Sequence, residues 1–531
     1  MRKNLLYIIL ILFVGLSTFK ITIAQRVLSA EYTHLLTNRS LYITGEKLEF
    51  NGLLSGEKIY SKVIYIELIS PVGNKISQKK IELNNNHFIG NITIPSDILS
   101  GYYYLRAYTK WMRNGSNKNY AYVLLKIINP KTNELLPIPD SLINNKILLL
   151  DTSIKSDKLV KYQANEQINW NKEIVPLELF NFTIIPRIAA PIHLQNNGSI
   201  PKVYQELIYY PETRGLSLTG MIKSKNTGKA LAFHLLSLHM IGKKDVLTVL
   251  SDAKGHFYFA LPKNQGFKEL FIIAESMDKD EAVIQIDQDY CFQDIALKVP
   301  PFKILDKDKA AILQMVQNQQ VYHAYHEDNT ITNPAINSKA FYGHAFKTIE
   351  FGYYVPLDSL EQYFTDIPSW VVIKKRKGKR YFQIYGTQGE LKLYPPLVLV
   401  DWVPVDDADR VLAIHPSNVE KIDIITESYI HGDIVYGGII NIITKNADFG
   451  GLKFPKSGMY LNFEFYQAYT KDKPNDLYRN THLWYPDISN DSLLHNSDIK
   501  APKQKGDYLL LIQGIDKSGR AFEWKESFIV E

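Results

Sequence analysis

Pro396–Lys445 has the sequence PLVLVDWVPVDDADRVLAIHPSNVEKIDIITESYIHGDIVYGGIINIITK. It contains three short apolar runs, Leu397–Val400, Ile422–Ile425 and Ile439–Thr444. Short apolar runs that are bounded by turn residues are typical of buried strands. The stretch therefore predicts a compact α+β unit built on short strands.

Helical segments are expected within this stretch and before it. Ser417 stands three residues before Glu420, the spacing of a capping box, which predicts a helical turn there. Upstream, Leu305–Glu327 has the pattern of a longer helix, with Asp306 as its N-cap, and Leu357–Phe364 that of a shorter one. The unit is therefore expected to span residues 301–450.

Three motifs give the stretch a resemblance to a known family. They are Val400–Pro404 (VDWVP), Pro416–Ile422 (PSNVEKI) and Tyr436–Lys445 (YGGIINIITK). They resemble the V-D-G-V-P, P-x-x-I/V-E-x-I and Y-G … G-x-I-x-I-x-T-K motifs of the plug domain of Bacteroidota-type TonB-dependent outer-membrane receptors. Trp402 replaces the family's glycine, and the loop before the last strand is shorter than in full receptors. The resemblance implies a plug fold that fills a barrel from the periplasmic side.

No barrel is expected in this chain. A receptor barrel needs about 22 strands of about ten residues each, and 86 residues follow Lys445. The resemblance therefore implies a barrel-less, plug-like unit. Its expected partner is an outer-membrane β-barrel, or a secretion or transport complex, in another chain.

The candidate docking residues lie in three places. They are Trp402, the basic run Lys374, Lys375, Arg376, Lys377, Lys379 and Arg380, and the group Tyr436, Gly437 and Gly438. The basic run falls at the turn of a predicted hairpin, Val371–Tyr385, where it could meet anionic lipid head groups. Alternatively, it is a solvated tip that resists edge aggregation. Trp402 either fills the core of the unit or anchors a partner.

The first part of the chain, residues 25–130, alternates like an antiparallel β-sandwich. Thr37–Glu46 (TNRSLYITGE) and Ser100–Tyr108 (SGYYYLRAY) resemble the D-R-x-x-Y-x-P-G-E and G-x-Y-x-L patterns of the second macroglobulin domain. Protease-trapping macroglobulins carry a thioester in a G-C-G-E-Q sequence. Cys291, the only cysteine, lacks that context, so covalent trapping is rejected and a buried core thiol is expected.

Residues 211–300 contain three further motifs, Leu216–Ile222, Asn226–Leu231 and Ser251–Phe259. They resemble the G-x-V, T-G-x-P-L and S-D-x-x-G-x-F-x-F patterns of the carboxypeptidase regulatory-like domain. Asp252 and Gly255 are expected to make a tight turn. The resemblance implies an accessory module without catalysis.

The remaining parts complete a mainly β, multi-domain fold. Residues 131–210 are expected to hold a linker and a second β domain, and residues 451–531 a small β tail on the plug-like unit or a partner. The expected fold class is tandem immunoglobulin-like β-sandwiches followed by a small α+β plug-like domain.

Residues 1–24 are typical of a secretory signal peptide, with Arg2-Lys3 before the apolar run Leu5–Leu16. An uncleaved membrane anchor is the alternative. Without the signal the net charge falls from +6 to +3, which argues against nucleic-acid binding. We expect an exported protein that is periplasmic or associated with the outer membrane.

No motif predicts an active site or a cofactor. His323 and His326 share one face of the predicted helix, where a zinc ion could bridge them, but no H-E-x-x-H motif occurs. Ordinary helix-surface histidines are the alternative. The sequence therefore predicts a non-catalytic scaffold or docking protein. A cell-surface β-sandwich binding or adhesion module comes second, and a metal-dependent hydrolase third.

Overall fold

The computed structural model describes the greater part of the chain. The described residues are 29–144, 159–168, 177–192, 208–241, 243–244, 246–264, 266–274, 282–325, 340–386, 393–405, 407–431, 434–452, 458–465, 478–486 and 499–531. The predicted signal peptide and His326 lie outside them. The predicted mainly β, multi-domain class is confirmed.

The described part holds three α-helices and a series of strands that are numbered here in chain order. The strands are β1 (Glu31–Thr37), β2 (Leu41–Ile43), β3 (Lys47–Gly56), β4 (Val63–Ile69), β5 (Lys75–Glu82), β6 (His87–Thr93), β7 (Gly101–Tyr108), β8 (Ala121–Ile128), β9 (Val160–Tyr162), β10 (Leu177–Pro186), β11 (Ser217–Ser224), β12 (Leu235–Met240), β13 (Val246–Leu250), β14 (His256–Ala260), β15 (Gly266–Ala274), β16 (Ala282–Ile286), β17 (Lys347–Glu350), β18 (Val371–Arg376), β19 (Lys379–Ile384), β20 (Leu397–Val400), β21 (Val403–Pro404), β22 (Val419–Ile425), β23 (Tyr429–His431), β24 (Ile434–Tyr436), β25 (Ile439–Thr444), β26 (Met459–Phe465), β27 (Leu483–Tyr485), β28 (Gly506–Asp516) and β29 (Ala521–Val530). The helices are α1 (Lys309–Tyr325), α2 (Leu360–Thr365) and α3 (Ala408–Leu412).

The first sandwich is formed by β1–β8. Its two sheets have the strand orders β1-β3-β6 and β2-β8-β7-β4-β5. Alternate residues such as Phe50, Ile66 and Leu105 are fully buried between them, as expected for strands that turn one face to a core. Cys291 is buried at one edge of this core, where the hydroxyl of Tyr120 donates to its Sγ at 3.6 Å.

The second β domain is discontinuous. Its single five-stranded sheet has the order β27-β10-β28-β29-β9, so the last strands of the chain pair with strands that precede them by about 300 residues. The expectation of a separate β tail at 451–531 was therefore wrong. The physical reason is that β28 is apolar on both faces, with Leu509 and Leu511 on one and Leu510 and Ile512 on the other. Such a strand belongs at the centre of a sheet.

The third domain is the sandwich expected at residues 211–300, with one addition. Its sheets have the orders β14-β11-β16 and β13-β12-β15-β26, and β26 comes from residues 459–465. The predicted turn is confirmed: Gly255 has φ +80°, and the carboxylate of Asp252 accepts from the N–H groups of Lys254 and His256 at 2.8 Å. The first and third sandwiches share one continuous hydrophobic core.

The inserted unit, defined here as residues 340–452, contains the stretch quoted first. Its sheet has the order β17-β22-β25-β20-β21, with β20 parallel and β22 antiparallel to β25. The three predicted strands are confirmed. One face of the sheet is covered by α2, α3 and the β18–β19 hairpin. The other is covered by residues 341–342, the β23–β24 hairpin and Val246 of the third sandwich.

Three local expectations need correction. Pro416–Asn418 is a 3-10 turn capped by His415, and the capping box is absent because β22 starts at Val419 and places Glu420 in the strand. Asp306 does not cap α1 but lies in the 3-10 turn before it. Helix α1 also lies outside the inserted unit, because it packs Ile312 and Met315 against the first and second domains.

The chain order of these domains is nested. After β10 the chain builds the third sandwich, then the inserted unit, then returns to the third sandwich through β26 and to the second domain through β27–β29. Both ends of the inserted unit are therefore anchored in the rest of the fold.

Candidate functional site

The predicted basic hairpin is confirmed as β18–β19, joined by a turn at Lys377 and Gly378 with φ of +48° and +85°. Positive φ at both turn residues matches the twist of the two strands. Alternation gives the hairpin two faces. The inner face packs Val371, Phe382 and Ile384 into the core of the inserted unit. The outward face carries Val372, Lys374, Arg376, Lys379, Tyr381 and Gln383.

Arg380 lies on the inner side of the hairpin, opposite Lys375, and binds the unit itself. Its Nε donates to the carboxylate of Asp409, and its Nη1 lies 2.6 Å from Glu361 Oε2. The hydrogen bond from Arg380 lowers the pKa of Asp409. This cation ties the hairpin to α2 and α3, so its role is positional.

Trp402 occupies a two-residue turn between β20 and β21. Asp401 and Trp402 have φ of +46° and +71°, a conformation in which glycine is usual and a large residue is strained. The carboxylate of Asp401 holds the turn by accepting from the N–H groups of Thr444 at 2.8 Å and Phe449 at 2.9 Å. The indole is half-buried and stacks on Tyr342. Trp402 therefore contributes to packing within the unit.

Tyr342, which lies under this indole, hydrogen-bonds to the two polar side chains Asp423 and Asn441 on this face of the sheet. Its hydroxyl donates to Asp423 Oδ2 at 2.9 Å and accepts from Asn441 Nδ2 at 3.1 Å. Burial raises the pKa of Tyr342 well above its usual range.

Tyr436, Gly437 and Gly438 lie inside the structure. Tyr436 is 5% exposed, in a cluster with Leu397 and Ile439. A side chain on Gly438, which has φ +108°, would place its Cβ 2.5 Å from the carbonyl oxygen of Ile425. The structure therefore does not bring the candidate docking residues onto one surface. Arg376, Lys377 and Lys379 are exposed at the hairpin tip, Arg380 is held on its inner side, Trp402 is half-buried and Tyr436 is buried.

Two exposed aromatic side chains beside the hairpin were not singled out from the sequence. Trp370, directly before β18, is 51% exposed with φ +61°, and the ring of Phe346 meets it edge-on at 5.8 Å. An aromatic residue next to a basic hairpin was the available signal.

Of the histidine pair, only His323 lies within the described residues. His323 Nε2 lies 3.2 Å from the carbonyl oxygen of Gly45. Among the described residues, no group of three or more His, Cys, Asp or Glu side chains could hold an ion. No helix in that part has the length and apolar character needed to cross a bilayer.

A second candidate site, missed in the sequence, is the interdomain groove between the first and third sandwiches. This cleft of about 1040 Å³ is lined by Tyr209, Tyr210, Leu250, Tyr258, Phe292, the turn around Asp252 and Ile434 of the inserted unit. Its residues come from five separate segments, so no local pattern marks it.

The wall of the groove on the side of the first sandwich is built from charges that already have partners. The carboxylate of Asp289 forms ion pairs with the ammonium groups of Lys80 and Lys110, the second at 2.8 Å. These two ammonium groups keep the pKa of Asp289 below its usual range against the opposing effect of burial. The guanidinium of Arg113 lies 3.9 Å from the centre of the Tyr209 ring. The contact with Arg113 holds the Tyr209 ring against this wall.

The opposite wall contains the edge strand β14. Its register with β11 is fixed by Leu261 N–H to Leu216 O at 2.9 Å and Ile222 N–H to Gly255 O at 2.8 Å. Because bonded pairs alternate in an antiparallel ladder, Phe257 and Phe259 bond to β11, whereas Tyr258 directs its N–H and C=O away from it. Among the described strands, none pairs with that side of β14.

Comparison with known proteins gives no family. No family model matches the chain, and neither does any curated protein. Similar solved structures include the CARDB domain of the PF1109 protein in complex with di-metal ions from Pyrococcus furiosus (13% identity, 19% of this chain, 94% of that one, TM-score 0.15). Another is Salmonella alpha-2-macroglobulin reacted with methylamine (11% identity, 95% of this chain, 24% of that one, TM-score 0.16). A third is a tetra-tandem repeat in the extending region of a large adhesion protein (8% identity, 95% and 100%, TM-score 0.13). No family is assigned from these similarities.

Proposed function

We propose that this chain is a non-catalytic binding protein of the bacterial envelope, and that its ligand is an extended polypeptide held in the interdomain groove. The ligand adds to β14 as a further strand. The observation that carries the proposal is the open main-chain edge of Tyr258 along the wall of the groove. Strand addition supplies affinity through the main chain, while pockets for alternate side chains supply selectivity.

The side chains around this edge support the proposal. Tyr210, Leu250 and Phe292 are large, exposed and apolar, and together they offer contact area for the side chains of a bound strand. The hydroxyl of Thr248, 6% exposed, has no hydrogen-bond partner among the described residues. A buried polar group without a partner costs free energy, so a ligand that reaches it gains a hydrogen bond.

The third sandwich already accepts one strand from elsewhere. Strand β26 pairs with β15, with Gly266 opposite Phe465 at one end and Ile272 opposite Met459 at the other. Almost two hundred residues separate the two strands in sequence. The same domain can therefore extend a sheet by strand addition.

A peptide selection on the full chain tests the proposal. Linear peptides selected from a random display library should bind wild type, and hydrogen exchange at the Tyr258 amide should slow in the complex. Tyr258→Pro removes the outward N–H without removing a bond to β11, so we expect binding to weaken at least tenfold. Tyr258→Thr, which keeps the N–H, is the matched control.

Two results would overturn the proposal. One is a selection that enriches no peptide above background. The other is a set of peptides that bind Tyr258→Pro as tightly as wild type while its melting curve is unchanged.

Docking of the inserted unit to an outer-membrane β-barrel, or a transport complex in another chain, is a second proposal. The observation that favours it is the loop between β17 and α2, where Tyr353 and Val355 are about four-fifths exposed. Crosslinking in intact envelopes should recover one recurrent barrel protein with wild type and lose it with Tyr353→Ser/Val355→Ser. Recovery of the same barrel with both proteins would contradict this.

A further inference from the structure

The outward face of the β18–β19 hairpin carries an unusual pairing of like charges. Arg376 and Lys379 stand directly opposite each other in the register, next to the pair Lys374 and Tyr381. Like charges that face each other across two strands destabilise the pair. An anion bound between them would remove this repulsion.

Two of the cations at this tip, Arg376 and Lys377, are not neutralised within the described part of the chain. Arg376 and Lys377 make no ion pair with any described residue, whereas Arg380, on the inner side, is fully engaged by Asp409 and Glu361. Arg380 holds the hairpin in place, whereas Arg376 and Lys377 are exposed at its tip. Attachment of the hairpin to the inserted unit needs only Arg380, so it does not explain the cations on the outward face.

Apolar and aromatic side chains accompany these cations. Val372 and Tyr381 share the outward face and are both 41% exposed, and Trp370 precedes the strand. Tryptophan and tyrosine favour the boundary between lipid and water, because each ring has an apolar body and a polar edge. A face with cations, a tyrosine and a valine matches that boundary when the hairpin lies flat on it.

We propose that the hairpin β18–β19 is a membrane-contact element that lies on an anionic lipid surface. The occupant is chosen by charge complementarity. A sheet of negative head groups can contact Lys374, Arg376, Lys377 and Lys379 at once, and each cation near such a surface strengthens binding roughly fivefold. This site is separate from the interdomain groove, so the two proposals stand or fall independently.

Vesicle sedimentation with the full chain tests the proposal. The protein should bind vesicles that contain phosphatidylglycerol but not vesicles of pure phosphatidylcholine, and binding should fall with added salt. The triple variant Arg376→Gln/Lys377→Gln/Lys379→Gln should bind at least tenfold more weakly. The matched control Lys118→Gln/Lys229→Gln/Lys517→Gln removes three exposed lysines from other domains and should bind like wild type.

Two further measurements separate the alternatives. If the hairpin binds a free phosphate instead of a surface, millimolar inorganic phosphate will abolish vesicle binding at constant ionic strength, which would overturn the proposal. Equal losses in both triple variants would also overturn it, because they would mean that only total charge matters. Trp370→Ala should weaken vesicle binding without a change in melting temperature. An unchanged affinity would show that Trp370 does not take part in the membrane contact.

Discussion

The indole of Trp402 stacks on the ring of Tyr342, with ring centres 5.5 Å apart and planes 19° from parallel. This contact lies above the buried polar pair Asp423 and Asn441. The aromatic residue in this turn thus covers one face of the sheet.

Substitutions at Trp402 should separate this packing from the strain of the turn. Trp402→Ala loses the stack and keeps φ +71°, whereas Trp402→Gly loses the stack and relieves the strain. We expect Trp402→Gly to be more stable than Trp402→Ala by about 1 kcal/mol, with both less stable than wild type. Urea denaturation monitored by circular dichroism gives the order. Equal stabilities of the two variants would contradict a strained turn.

Gly255→Val should destabilise the third sandwich by several kcal/mol. A Cβ at Gly255 would lie 2.7 Å from the carbonyl oxygen of Ile222, at a φ of +80° that β-branched residues avoid. The control is Gly228→Ala, where φ is also positive but no atom lies within 4 Å, so we expect a loss of only about 1 kcal/mol. Thermal melting that ranks the two variants the other way would show that the clash can relax.

His482 should make the second domain sensitive to acid. Burial lowers its pKa from 6.5 to about 4, because the charged imidazolium loses solvation. The unfolded chain therefore binds the proton more readily than the folded one. The contribution of His482 to the free energy of unfolding is fully present above pH 6.5 and is lost as the pH drops toward 4. The loss amounts to about 3 kcal/mol at most.

The control for this effect is His482→Gln, which can still donate to the carbonyl oxygen of Lys500 that His482 contacts at 3.2 Å. The stability of wild type relative to His482→Gln should therefore increase as the pH rises from 4 to 6.5. A constant difference across that range would assign the acid sensitivity to other groups.

Removal of residues 499–531 should unfold the second domain while the third sandwich stays folded. The deletion takes β28 from the centre of the sheet and leaves β10 paired only with β27. Limited proteolysis should then cut within residues 177–192. Removal of Glu531 alone, whose ion pair with Lys161 is exposed, should have little effect. Protection of β10 in the longer deletion would mean that it folds without β28.

Local patterns in the sequence predicted local structure well. Apolar runs located β20, β22 and β25, and the Asp252–Gly255 spacing located a turn, because these features depend on neighbouring residues. The capping box at Ser417 failed since the β-branched residues that follow, Val419 and Ile422, favour a strand that packs against β25. Tertiary pairing decided that conflict.

The candidate sites divide in the same way. The basic hairpin was predicted because its cations are adjacent in sequence. The interdomain groove was missed because Tyr209, Leu250, Tyr258 and Phe292 meet only in the folded chain. None of these residues stands in a distinctive local motif, and only the packing of the two sandwiches brings them together.

The nested chain order has a consequence for synthesis on the ribosome. Strand β10 emerges long before its central partner β28. Leu483, whose carbonyl oxygen accepts from the Thr183 hydroxyl, follows Thr183 by 300 residues. Domains generally fold as they are completed during synthesis. Here the second domain is begun before the third and completed after it. Throughout that interval the apolar face of Phe180, Phe182 and Ile184, which is buried in the folded domain, lacks its partners. We therefore expect a truncated chain to aggregate.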